Sequence, residues 1–157
     1  MTAKRVLATW LSNLGSMLPY YDGLAEAAAC LREALKLSEE TDDMSLKQHV
    51  LLVLANMSGR PDQPVGPAEA AAFRSRLNAL YAKAGRNHDT SCTICLEALE
   101  QPDGGAEQNA TGDGDLGADG YTKLAVRVLP CGHQFHRGCL STWWCTRLER
   151  TCPLCKK

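Results

Sequence analysis

The stretch Leu129–Trp144, LPCGHQFHRGCLSTWW, sets two cysteines and two histidines within nine residues and follows them with two adjacent tryptophans. Thiolate and imidazole are the donors that zinc selects, and two of them one or two residues apart can reach a single ion from one tight turn. The pattern continues on both sides. From position 92 onward the candidate ligands run Cys92-x2-Cys95, Cys131-x-His133, His136-x2-Cys139 and Cys152-x2-Cys155. Eight donors in four close pairs are enough for two tetrahedral sites, and spacing alone leaves open which pairs share an ion.

Metal is also what such a segment needs energetically. A short, loop-rich, Gly-rich piece of chain buries too little apolar surface to fold on its core alone. Structural zinc contributes on the order of 10–16 kcal/mol at neutral pH, as much as the whole net stability of an ordinary domain, roughly 5–15 kcal/mol. Removal of zinc is therefore expected to unfold this part.

Cysteine usage agrees with that reading. Seven of the eight cysteines lie beyond position 90, and six of them fall in the paired pattern with the histidines, which favours intracellular metal binding over a disulfide framework. The chain has 157 residues and a formal charge of -1, so a broad basic face for nucleic acid is not expected. No segment approaches the roughly 20 apolar residues of a membrane span. Lys4 and Arg5 precede an apolar run, but Ser12 and Asn13 cut it short and no small-residue cleavage site follows. The expectation is a soluble, non-secreted protein of the cytoplasm or nucleus, with neither nucleic-acid binding nor membrane insertion.

Residues 1–85 read as helical, because Leu, Ala, Glu, Lys and Arg dominate and apolar residues recur every three or four positions. A helix near 5–18 is expected to bury Trp10, Leu11, Leu14 and Leu18. Asp22 suits the cap of a second, with Leu24, Ala28, Leu31 and Leu35 along its stripe. Ser45 and Gln48 have capping-box spacing for a third carrying Leu46, Val50, Val53, Leu54 and Met57. After the breaker SGRPDQPVGP, Pro67 opens a fourth that buries Ala70, Phe73, Leu77, Leu80 and Tyr81, and Gly85 closes it. Short amphipathic helices do not stand alone in water, so a small bundle or a docking module for substrate or partner is expected.

Residues 86–91 form a linker. Within 92–157, the stretch from about 100 to 120 is rich in Gly and acidic residues without Lys or Arg, a solvated insertion. Its DGDLGADG is not an EF-hand: a loop begun at Asp113 puts Ala118 at the required glycine and Leu124 at the closing glutamate. Asn109 begins a sequon with no secretory route to use it. The alternation in KLAVRVLP, with Leu124, Val126 and Val128 on one side, predicts a short strand leading into the opening motif.

The ligand order Cys, Cys, Cys, His, His, Cys, Cys, Cys, together with LPCGHQFHRGC and CPLC, resembles the RING finger in its subclass with histidine at the fourth and fifth ligands. The resemblance covers about residues 90–157. PHD fingers, LIM domains and pairs of two-Cys two-His fingers fit the order and spacing less well. Cross-bracing in that family would assign Cys92, Cys95, His136 and Cys139 to one zinc and Cys131, His133, Cys152 and Cys155 to the other, two structural ions in all. The implied fold class is α+β: a small helical N-terminal region, then a cross-braced two-zinc module of short strands and one helix.

The resemblance further implies a ubiquitin ligase, an enzyme without a covalent intermediate on itself. It binds a ubiquitin-charged conjugating enzyme and brings a substrate lysine to the thioester. The positions that match its docking groove are Ile94, Trp143 and Pro153, with Leu96 and Leu154 flanking, and Trp144 serves packing. Lys156 stands where active members often carry a bridging cation. The alternative is a non-catalytic zinc-binding module that partners another RING subunit. Thirty-five residues between Cys95 and Cys131 are many for the family, and the acidic insertion accounts for most of the excess. Cys30 and Cys145 read as passive thiols and His49 and His88 as ordinary polar positions. Since the chain closes at Lys157, any dimerisation is expected to use the helices.

Overall fold

The computed structural model describes residues 3–17, 23–58, 63–85, 90–99 and 125–157. The expected acidic insertion, Asp22, His88, Leu18 and Leu124 lie outside the described residues. Two units emerge, Met1–Ala84 and Gly85–Lys157.

The first unit holds four helices, α1 (Ala3–Met17), α2 (Leu24–Glu40), α3 (Met44–Ala55) and α4 (Pro67–Lys83). Pro67 stands in the first turn of α4, where its missing N–H costs nothing, and Gly85 follows the C-cap Ala84 at φ +69°, a conformation that stops the helix. α1 packs on α2, α2 on α3 and α3 on α4. The core gathers Leu31, Leu35, Val50, Leu51, Leu54, Leu77 and Tyr81 with Ala27, Ala28 and Ala34 of α2. Ion pairs show the helix directions. Lys4 Nζ reaches Glu40 at 2.8 Å, so α1 runs antiparallel to α2. Arg32 grips both oxygens of Glu69, and Arg76 meets Glu39, so α2 and α4 run parallel.

Two expectations change here. α3 is capped by Asp43, whose carboxylate accepts the Leu46 N–H at 3.1 Å, two residues ahead of the expected Ser45. The face of α1 is also turned. Trp10 is 72 % exposed and Leu14 49 %, whereas Ala8, Ser12 and Gly15 are buried and Leu11 is half-buried. The reason is steric. A Cβ on Gly15 would lie 2.7 Å from Leu31 Cγ and 3.0 Å from the Ala27 carbonyl, so α1 meets α2 through its smallest residues.

In the second unit β1 (Val126–Val128) pairs antiparallel with β2 (Gln134–His136), Arg127 opposite Phe135. Val126 and Val128 point inward as the alternation predicted. The turn between the strands closes when Leu129 N–H donates to His133 O at 2.9 Å and Gly132 N–H to Leu129 O at 2.8 Å, with Gly132 at φ +94°. β2 passes directly into α5 (Arg137–Arg147). Cys92, Leu99, Val126, Leu129, Phe135, Leu140 and Cys152 form a small core. The architecture is α+β, and no described helix is long and apolar enough to cross a membrane.

Candidate metal centre

Each ligand is delivered by a local backbone device. Cys92 and Cys95 sit on a tight turn in which Leu96 N–H donates to Cys92 O at 2.6 Å and Cys92 N–H to Glu97 O at 2.8 Å. Cys152 and Cys155 repeat it, with Lys156 N–H to Cys152 O and Cys152 N–H to Lys157 O, both 2.9 Å. In both turns the residue after the second cysteine is left-handed, Leu96 at φ +66° and Lys156 at φ +59°. Cys131 and His133 come from the β1–β2 turn, His136 from the end of β2 and Cys139 from the first turn of α5.

Folding brings these together as two clusters, Cys92, Cys95, His136 and Cys139, and Cys131, His133, Cys152 and Cys155, with the ligand atoms of each within 4.8 Å of one another. Each cluster takes its halves from separate parts of the chain, which is cross-bracing. A tetrahedral zinc would set sulfur and nitrogen about 3.6 Å apart. Cys95 Sγ lies 3.3 Å from His136 Nδ1, and Cys131 and Cys152 Sγ each lie 3.4 Å from His133 Nδ1. His136 Nε2 is 3.2 Å from Ala98 O, an arrangement that keeps the proton on Nε2 and turns the Nδ1 lone pair to the metal. Three thiolates and one imidazole suit zinc, so the donor set fits two structural zinc ions, each site formally -1.

The electrostatics of the clusters call for a cation. Burial, then the sulfurs of Cys95 and Cys92, push Cys139 up to about 12. Burial likewise drives Cys131 up to about 11. Cys155 goes the other way, to about 7, because the Lys157 backbone N–H stabilises its thiolate. A dication allows all the thiols of a cluster to ionise together, and the displaced protons make binding pH-dependent.

Residues 92–155 match the family model "Zinc finger, C3HC4 type (RING finger)". This segment is a RING finger. It departs from the C3HC4 order at the fifth ligand, where His136 stands for cysteine, giving the two-histidine arrangement. The chain is similar to the E3 ubiquitin-protein ligase SDIR1 of Arabidopsis thaliana, 35 % identical over 120 residues that cover 76 % of this chain and 35 % of that protein. It is also similar to the ERAD-associated E3 ubiquitin-protein ligase hrd1 of Schizosaccharomyces pombe, 35 % identical over 57 % of this chain and 13 % of hrd1. The E3 ubiquitin-protein ligase RNF13 of Bos taurus is 33 % identical over 48 % of this chain and 14 % of its own length. The chain thus spans between 13 % and 35 % of the length of these curated relatives. No solved structure matches it.

Around the two ligand clusters of the RING finger, Ile94 is half-buried against the core and Pro153 half-buried within the second cysteine turn. Trp143 is half-buried on α5, and its ring has Lys156 Nζ at 5.1 Å and Arg147 Cζ at 5.0 Å. Sequence reasoning placed Lys156 and Trp143 in separate roles and passed over Arg147. The signal was the four-residue spacing of Trp143 and Arg147 on one helix, which sets their side chains side by side. Trp144 packs on the core, and its Nε1–H donates to Thr151 O at 3.0 Å, tying α5 to the second cysteine turn. Cys145 is exposed on α5 and Cys30 half-buried in α2.

Proposed function

We propose that the chain is a RING-type ubiquitin ligase of the cytoplasm or nucleus. It docks a ubiquitin-charged conjugating enzyme on Ile94, Trp143 and Pro153 and promotes transfer of ubiquitin to a substrate lysine. The observation that carries the reading is the contact of Lys156 with Trp143 on a RING finger: the candidate bridging cation lies beside the candidate docking aromatic. Leu96, 80 % exposed, and Leu154, 46 % exposed, extend the apolar rim. The two zinc ions would hold both cysteine turns and thereby the groove; they supply structure, not a reactive group.

Catalysis on this reading is positioning. Docking fixes the conjugating enzyme, and a cation at its junction with ubiquitin narrows the thioester's range of arrangements to reactive ones. Lys156 offers a single ammonium where arginine would offer a planar fork, so its share is modest. The left-handed backbone at Lys156, set by its bond to Cys152 O, fixes where that ammonium starts. The helices of residues 1–85 recruit the substrate.

The test is discharge of ubiquitin to free lysine from a panel of charged conjugating enzymes. The wild type accelerates discharge, Ile94→Ala loses at least about tenfold with two zinc ions retained, worth about 1.4 kcal/mol or more of docking, and Lys156→Ala loses less. No acceleration by the zinc-loaded wild type with any enzyme would overturn the proposal in favour of a non-catalytic module that partners another RING subunit.

A further inference from the structure

The outward face of α1 carries Val6 at 40 % exposure, Leu7 at 51 %, Trp10 at 72 %, Leu14 at 49 % and Met17 at 57 %. At about 100° per residue these five side chains fall within one contiguous strip, opposite the Ala8, Ser12 and Gly15 stripe that packs on α2. Their spacing has a further property. Leu7, Trp10, Leu14 and Met17 recur at intervals of three, four and three, the seam that one helix offers to another. Val6, Leu11 and Asn13 flank the seam and carry no charge. Of the two cations of α1, Arg5 is turned away from it and bound to Asp43 at 2.6 Å, whereas Lys4, one heptad before Leu11, stands at its edge bound to Glu40 at 2.8 Å. A lipid surface favours helices whose apolar strip is rimmed by Lys or Arg, and a charged peptide would need opposite charges beside the seam. One ion-paired Lys at the end of the strip supplies neither.

We propose that this strip pairs with the same strip of a second copy of the chain, the two α1 helices antiparallel about a two-fold axis at the level of Ser12. Three observations single out a second copy. The seam is uncharged and its one flanking cation, Lys4, sits at the N-terminal end paired with Glu40, so antiparallel self-pairing brings no like charges together. Antiparallel pairing centred there sets Trp10 opposite Leu14 of the second copy and Leu7 opposite Met17, a large side chain against a smaller one in the central layers. The strip offers on the order of 500 Å² per copy, below the roughly 800 Å² a side of a standard interface, which suits a dimer of micromolar strength anchored by the tryptophans.

Sedimentation equilibrium of the full zinc-loaded chain tests this. The weight-average mass rises with concentration toward twice 17.0 kDa, and Trp10→Glu and Leu14→Glu weaken the association at least tenfold. Because both side chains are exposed, far-UV CD and zinc content stay at wild-type values. Trp10→Phe, which keeps an apolar anchor, retains part of the association. A mass that stays monomeric up to about ten times a micromolar-range Kd overturns the proposal, as does a Trp10→Glu chain that dimerises like the wild type. A monomer that binds phosphatidylcholine vesicles in a Trp10-dependent way also overturns it and assigns the strip to a lipid surface.

Discussion

At the scale of single residues, much rests on two positions that no ligand count reveals. Gly132 separates Cys131 from His133 and lies at φ +94°. A side chain there costs about 1–2 kcal/mol in left-handed backbone, and the cheapest relief is to rotate one ligand away from the other. Gly132→Ala is therefore expected to weaken zinc at the Cys131, His133, Cys152, Cys155 cluster by about tenfold, equivalent to about 1.4 kcal/mol. The other cluster should keep its affinity, and competition against a chromophoric chelator distinguishes the two. Asp43 is the second position. The Leu46 N–H, and after it Arg5, hold its carboxyl below the ordinary carboxylate range, with burial opposing. A carboxyl depressed on folding stabilises fully above its unfolded pKa, near 4, and that contribution is lost as pH falls through the lower folded value. Asp43→Ala should cost about 1 kcal/mol at pH near 7, and the difference from wild type should shrink as urea melts are taken below pH near 4.

At the scale of elements, α1 shows what sequence periodicity conveys and what it leaves out. The helix and its amphipathic character were legible, because they depend on neighbours three and four residues away. The face it buries was not, because that depends on α2. Ranking α1 by side-chain size turns Trp10 inward, yet Ala27 and Leu31 of α2 accept only the small side of the helix. Gly15→Ala consequently sets propensity against packing. Alanine should gain about 1 kcal/mol as a helix former, but its methyl would press on Leu31 and the Ala27 carbonyl, and overpacking of this kind costs about 1–3 kcal/mol. Net loss of stability is expected in chemical denaturation. Ser12, buried in the same seam with an unpartnered Oγ, should behave in the opposite way. Ser12→Ala removes a buried, unsatisfied hydroxyl and is expected to raise stability by about 1 kcal/mol. The eight donors that gather into the two clusters, by contrast, could be picked out in the sequence, because paired spacing is a local feature that needs no knowledge of a distant partner. The Lys156 contact on Trp143 was not legible, since Lys156 reaches that ring only after the second cysteine turn has folded back on α5.

At the scale of the whole molecule the two units draw on different sources of stability. Helices α1–α4 have a continuous core in which Leu31, Val50, Leu51, Leu54, Leu77 and Tyr81 are each at most 2 % exposed. Among the described residues the RING finger's core cluster holds seven buried residues, two of them its own ligands. A core of that size cannot offset the conformational entropy of the loops that carry the ligands, about 1–2 kcal/mol for each ordered backbone residue. The balance must come from the metal, at roughly 10–16 kcal/mol per structural ion. A strong zinc chelator should therefore divide the molecule. By hydrogen exchange, residues 90–99 and 125–157 should lose protection altogether, while α2, α3 and α4 retain theirs and far-UV CD keeps most of its helical signal. Two equivalents of zinc per chain, one for each four-ligand cluster, should recover the exchange pattern. Loss of protection in α2–α4 on the same titration would overturn this picture, since it would mean that the helices depend on the zinc-bound fold for their own stability.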